Sequence, residues 1–494
     1  MASSGVVFPV SSGTGRSTSA LGRAVVADAL REIDPIGARA AEHETNWRAD
    51  YLVHFRRLVE AGLADGGAAR RSAAAGLASL HDRMRVVYAD GEVGLRDAFA
   101  RAPEPGERLD TVTVTGDGEV ERELSVPYRG ERLRGDALAR RLDAWVTAGV
   151  IEPGCAEAVR AVLANPDWLD LSDVRVVALG AGAEMGPTHS LLRWGGDVVA
   201  VDLPRPGLWR NLLQTASRYG GRLHVPVAAA KQNRADLAEV AGADLLHDLP
   251  VVAEWLLGVE GRLAVGNYVY ADGATNLRVC TAVDALTEHL RASRPDTALA
   301  FLATPTDVFA VPAEAVAHAD AKYREAGGVL RTLRGPLRMV SAGRLLRRNY
   351  PPDADPGVCD SLVAQQGPNY ALAKRLQRWR AATAREQGAT VSFTVAPPTR
   401  TRSVVKNRVL AAAYAGAPAF GVEVFDPAAS NTLMAALLVH DLRNPRRCAS
   451  TCGRRRRRAP RTAGCGRCRT PRAAPWAWPP CSASAARATD RAAT

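Results

Sequence analysis

Lysine is almost missing from this 494-residue chain: it supplies four basic residues, while arginine supplies 60. A surface laced with Lys and Glu pairs is thereby excluded, and each Lys present stands out. Unbroken apolar runs of the ~18 to 20 residues needed to cross a bilayer are also missing, which excludes a membrane-spanning helix and predicts a soluble, cytoplasmic protein. Cysteine is scarce before residue 446, where only Cys155, Cys280 and Cys359 occur. Three thiols build no disulfide scaffold, so the body reads as a protein of a reducing compartment. The first 27 residues lack acids and carry two Arg. That composition is faintly like an organelle transit peptide but has no apolar signal core, and a frayed N-terminus is the expectation.

What is present is ordinary for a globular protein: 47% apolar and 23% charged residues, in a chain long enough for two to four domains. The net charge of +12 is local. Residues 446–494 hold 13 Arg against the single acid Asp490, so the preceding body is neutral and predicts neither a nucleic-acid nor a membrane partner. In that tail Cys448, Cys452, Cys465 and Cys468 have spacings that imitate a zinc site, and Arg454 to Arg458 imitate a phosphate-binding run. No aliphatic periodicity accompanies them, and the abrupt compositional change looks like a GC-rich coding region read in a shifted frame. It reads as a low-complexity tail that binds neither metal nor nucleic acid.

Residues 1–170 read as a mainly helical N-terminal region, with Tyr51, Leu52, Phe55, Leu58 and Val59 at helical spacing and Leu138, Leu142, Trp145 and Val146 on a second helical face. Alternation at 111–115 and 120–126 around Gly116-Asp117-Gly118 predicts a β-hairpin. From residue 171 to 445 the texture changes to short apolar runs at 174–179, 198–201, 223–227, 263–265, 298–303, 337–340 and 391–395, separated by helical segments. Such runs predict a parallel sheet covered on both faces, the doubly wound α/β class.

The first run leads into Gly180-Ala181-Gly182-Ala183-Glu184-Met185-Gly186, then a helical segment, a second strand and Asp202. Glycines permit a tight turn with close backbone approach, a helix N-terminus offers N–H groups to phosphate, and an acid about 20 residues on accepts ribose hydroxyls. Gly180, Gly182, Gly186 and Asp202 are therefore candidate cofactor-binding residues. The turn alone does not choose between NAD, NADP and S-adenosylmethionine. Asp202 favours NAD over NADP, although Arg205 offers a partner for a 2′-phosphate.

Tyr370-Ala371-Leu372-Ala373-Lys374 places a phenol and one of the four lysines a helical turn apart, a match expected by chance about 0.08 times. A phenol of pKa ~10 exchanges protons poorly near neutrality, and an adjacent ammonium should lower it. Asn267, in a polar segment running to Gly273, follows an apolar run and should lie where such sheets bind ligands. Thr304-Pro305-Thr306-Asp307 is similarly placed and reads as an ordinary loop. The six His of residues 171–445 have no metal-ligand spacing, so no metal site is predicted.

In this order the motifs resemble the short-chain dehydrogenase/reductase family over about residues 174–401. The family's glycine turn is TGxxxGxG where this chain reads LGAGAEMG, and of the family's NAG segment only Asn267 remains. The resemblance implies a Rossmann-like fold and an NAD(P)-dependent oxidoreductase acting on a small-molecule carbonyl or alcohol. It implies that Ser341 polarises the carbonyl, Tyr370 transfers the proton, Lys374 supports Tyr370 and holds the ribose, Asn267 completes a proton relay, and Thr399 lies beside the cofactor. The alternatives are a methyltransferase using S-adenosylmethionine and a non-catalytic binding protein.

Overall fold

The computed structural model describes residues 4–11, 15–63, 65–103, 106–231, 236–325, 350–351, 353–360, 366–406, 408–420 and 422–444. The predicted strand at 337–340, Ser341 and the tail from 446 lie outside the described residues.

The apolar runs become strands of one mixed α/β sheet. Its seven strands are β1 (Leu109–Thr115), β2 (Val174–Leu179), β3 (Asp197–Val201), β4 (Arg222–Ala228), β5 (Arg262–Asn267), β6 (Ala298–Ala303) and β7 (Val391–Val395). Their spatial order is β7-β6-β5-β2-β3-β4-β1. All neighbours are parallel except β1, which runs antiparallel to β4. The sequential path moves outward from β2 to β4, then returns to β5 on the other side of β2. Loops leaving β2 and β5 therefore diverge, which opens a crevice at their carboxyl ends.

Two helices fix the β6–β7 side. α8 (Gly367–Glu386) lies over the face bearing Phe393, where the Arg378 guanidinium stands 5.1 Å from the ring centroid. α9 (Pro427–Arg443) lies over the opposite face, where Ser392 Oγ donates to Asp441 Oδ2 at 2.8 Å. Successive strand residues point to opposite faces, so Ser392 and Phe393 alone require a helix on each side.

The N-terminal helices α1 (Thr18–Leu30), α2 (Trp47–Gly62) and α3 (Ala68–Arg83) pack with α7 (Gly273–Ser293) and α8. Gly76 of α3 admits Trp379 of α8, whose ring would lie 2.4 Å from any Cβ at that position. One continuous hydrophobic core runs from Val6 to Leu442, with Val25, Leu80, Val177 and Leu376 all inaccessible to solvent.

Two expectations give way. The hairpin at 111–126 does not form: β1 joins the main sheet, pairing Leu109 with Ala228 and Thr115 with Arg222, while Val126–Tyr128 pairs with Glu131–Leu133. Gly116 and Gly118 serve close packing, because a Cβ on either would stand about 2 Å from the carbonyl oxygens of Tyr219 and Arg218. The N-terminus is not frayed throughout, since Gly5–Val7 pairs with Arg85–Tyr88 and Val6 and Val7 are buried. Among the described residues no helix is long and apolar enough to cross a membrane.

Candidate active site

β2 delivers Gly180 with φ +84°, a backbone geometry that disfavours residues with a Cβ. A Cβ there would also lie 2.9 Å from the backbone of Tyr268 and Val269, so the turn rests on the chain leaving β5. The N–H groups of Gly180 and Ala181 both donate to Val201 O, at 2.8 and 3.2 Å, and Tyr268 N donates to Leu179 O at 2.9 Å. The ends of β2, β3 and β5 are thereby tied around the crevice.

Asp202 is held from both sides: Gly182 N donates to Oδ2 and Leu203 N to Oδ1, each at 2.8 Å. Burial pushes its carboxyl above the usual carboxylate range, against these two N–H groups and the Arg205 charge. A Cβ on Gly182 would stand 3.3 Å from Oδ2 and crowd Leu208, so only glycine leaves the carboxylate this close to the turn. Gly186 N closes the turn on Ala183 O at 2.9 Å. Gly182 and Asp202 are thus joined at the turn that Gly180 opens and Gly186 closes.

A second constellation lies at the carboxyl end of β6. Tyr370 Oη and Thr304 Oγ1 are 2.5 Å apart, and Thr304 is the residue directly after that strand. Gln366 Nε2 donates to Thr306 Oγ1 at 2.7 Å, and Arg378 Nε donates to Asp307 Oδ2 at 2.6 Å. Three side chains of the Gln366–α8 segment therefore pin the loop Thr304-Pro305-Thr306-Asp307. Lys374 Nζ donates to Leu302 O at 3.3 Å and Gln377 Oε1 at 3.4 Å, and stands 5.7 Å from the Tyr370 ring centroid.

Electrostatics correct one expectation. Burial pushes the Tyr370 phenol up; the Thr304 hydrogen bond works against this and the Asp307 charge adds to it. Burial pushes the Lys374 ammonium down. Desolvation dominates the phenol, which is shifted away from phenolate despite Lys374 one turn along the helix.

The remaining candidates divide. Asn267 ends β5 and is 4% exposed, and its buried Oδ1 has no hydrogen-bond partner. No hydrogen bond joins it to Tyr370 or Lys374. Thr399 spends its hydroxyl on Pro397 O and Ser430 Oγ, at 2.8 and 3.0 Å, and so braces the segment after β7 against α9. Thr304, which in sequence reads as part of an ordinary loop, is the residue that meets Tyr370; its signal was position alone, one residue beyond a strand.

Glycine backbone, the Asp202 carboxylate fixed by two N–H groups, and the Asn267 Oδ1 without a hydrogen-bond partner stand at the carboxyl ends of β2, β3 and β5. His81, Asp284 and Glu288 also bring ligand-type atoms within 4.8 Å of one another. There, however, Arg380 is the cation, 2.7 Å from Asp284 Oδ2 and 2.9 Å from Glu288 Oε2. Comparisons with family models, curated proteins and solved structures find no match for this chain.

Proposed function

We propose that the chain is an NAD(P)-dependent oxidoreductase of the short-chain dehydrogenase/reductase type, with a doubly wound Rossmann-like domain, that reduces a carbonyl on a small molecule. The observation that carries this reading is the 2.5 Å contact between Tyr370 Oη and Thr304 Oγ1 at the end of β6, one turn from Lys374. Thr304 supplies the hydroxyl for which the sequence suggested Ser341.

In this reading a substrate carbonyl oxygen meets the two hydroxyls together. Thr304 donates a hydrogen bond that polarises the carbonyl, and Tyr370 gives its proton to the oxygen as charge develops there. Burial keeps the Tyr370 phenol protonated, the form in which it can hand a proton to the oxygen. Lys374 restores charge balance near Tyr370, and its bond to Leu302 O fixes its height along β6. The nicotinamide cofactor supplies the hydride when bound. Asp202 accepts the adenosine ribose hydroxyls, which favours NAD over a cofactor carrying a 2′-phosphate.

Calorimetric titration of the full chain with NAD, NADP and S-adenosylmethionine tests the cofactor. Binding of NAD ahead of NADP is expected, and binding of S-adenosylmethionine alone overturns the reading in favour of a methyltransferase. With a substrate in hand, Tyr370→Phe should lower turnover by ~10² to 10⁴-fold while cofactor affinity is kept.

A further inference from the structure

The glycine turn carries a carboxylate of its own. Glu184 lies between Gly182 and Gly186, on the stretch of backbone that would face a diphosphate, and its side chain is 28% exposed. A carboxylate there would repel a diphosphate at short range unless a cation stood between them. The cation present is Arg402, from the segment that leaves β7 and returns over the turn. Its backbone N–H donates to Glu184 Oε2 at 2.8 Å, and its Nε stands 2.9 Å from Glu184 Oε1. The Arg402 side chain is 79% exposed, so the guanidinium reaches Glu184 without being buried by it.

Both ends of this contact are anchored. The Glu184 carbonyl accepts from Asn431 Nδ2 of α9 at 3.4 Å. The strap carrying Arg402 is fixed by Arg400 N donating to Phe425 O, at 2.9 Å, and by the Thr399 hydroxyl bond to Ser430. A planar guanidinium with several N–H groups binds carboxylate and phosphate oxygens by the same geometry, so it can exchange one for the other with little movement of its backbone.

We propose that Arg402 is a diphosphate-binding residue of this site, and that Glu184 holds the guanidinium in place in the free protein as a stand-in for the ligand's negative charge. This rests on the cofactor reading above. When a dinucleotide enters, the guanidinium passes from the carboxylate to the diphosphate, and Glu184 is the competitor that sets the affinity. The strap's backbone bond to Glu184 persists, so the segment after β7 stays over the turn.

Binding of ADP-ribose and of adenosine to the full chain, measured by calorimetry, separates the outcomes because only ADP-ribose carries the diphosphate. Arg402→Ala should weaken ADP-ribose about tenfold and leave adenosine within about twofold, whereas Arg402→Lys should recover part of the loss. Glu184→Gln should tighten ADP-ribose several-fold, since it removes the competing charge but keeps the side chain's shape. If Arg402→Ala weakens both ligands alike or neither, or if Glu184→Gln weakens ADP-ribose, the exchange is overturned while the cofactor reading stands. If the unaltered chain binds neither ligand, the cofactor reading itself fails and takes the exchange with it. Circular dichroism of each variant confirms that the comparison is made on folded protein.

Discussion

At the scale of single residues, the site depends on where hydroxyls and charges are buried. Thr304→Val keeps the shape of the residue beside Tyr370 and removes its hydroxyl. It should cost ~10²-fold in turnover, the usual effect of losing one donor to a developing oxyanion, with the unfolding temperature little changed. His81 behaves differently. Its Nε2 lies 2.8 Å from Asp284 Oδ2 and its Nδ1 2.9 Å from Glu288 Oε2, so both ring nitrogens face carboxylates. Burial alone would lower its pKa, but the two carboxylates outweigh burial and the net shift is upward. Because the folded pKa is raised, this imidazolium contributes its full stability below the unfolded value of about 6.5 and loses it as pH rises through the folded value. Glu288 is shifted the other way, to about 2, first through its hydrogen bond to His81, so its contribution disappears as pH falls from its ordinary value of 4.5 toward 2. Unfolding temperature plotted against pH should therefore fall at both ends. His81→Gln should flatten the alkaline limb while lowering stability by about 3 kcal/mol, the cost of unpairing buried charges. A persisting alkaline limb would place its origin elsewhere.

At the scale of elements, α8 serves two neighbours. Its first turns carry Tyr370 and Lys374 to the end of β6, and its later turns carry Trp379 to Gly76 of α3 and Arg380 to Asp284 of α7. Gly76→Leu in α3 should push on the Trp379 ring and destabilise the protein by about 1 to 3 kcal/mol, as overpacking does, measured by chemical denaturation. Several elements were legible from local pattern. The runs at 174–179 and 298–303 are apolar over successive residues, and the Tyr370–Lys374 spacing fits one helical turn. The glycine turn was legible because Gly180 needs a left-handed backbone within its own few residues. What escaped was decided over distance. β1 has a Thr and Val alternation that suits either a hairpin or a sheet edge, and only its partner β4 decides between them. Thr304 resembles any loop residue until α8 brings Tyr370 to it. The sign of the Tyr370 shift follows from desolvation by the whole surrounding fold, which the neighbouring Lys374 does not reveal.

At the scale of the whole molecule, the core does not divide at residue 170. Val25 and Leu80 belong to the same continuous cluster as Val177 and Leu376, and β1 bonds directly to the sheet that follows it. Heat or denaturant should therefore unfold the described chain in one transition, seen alike by Trp fluorescence and far-ultraviolet circular dichroism. Two separated transitions would mean that the N-terminal helices form an independent unit. A fragment starting at residue 109 should expose the apolar face that α3 covers on α7 and α8, and should aggregate.

The position of β1 also bears on how the chain is made. Leu109–Thr115 leaves the ribosome well before its partner β4, which lies about 110 residues downstream, so synthesis proceeds for several seconds with this strand's backbone unpaired. Its composition suits that wait. Thr111, Thr113 and Thr115 alternate with Val112 and Val114 behind Asp110, so the nascent segment presents hydroxyls on one side and never a continuous apolar run. The strand that closes the sheet's edge is thus emitted early, in a form that water can tolerate until the edge it must cover has been built.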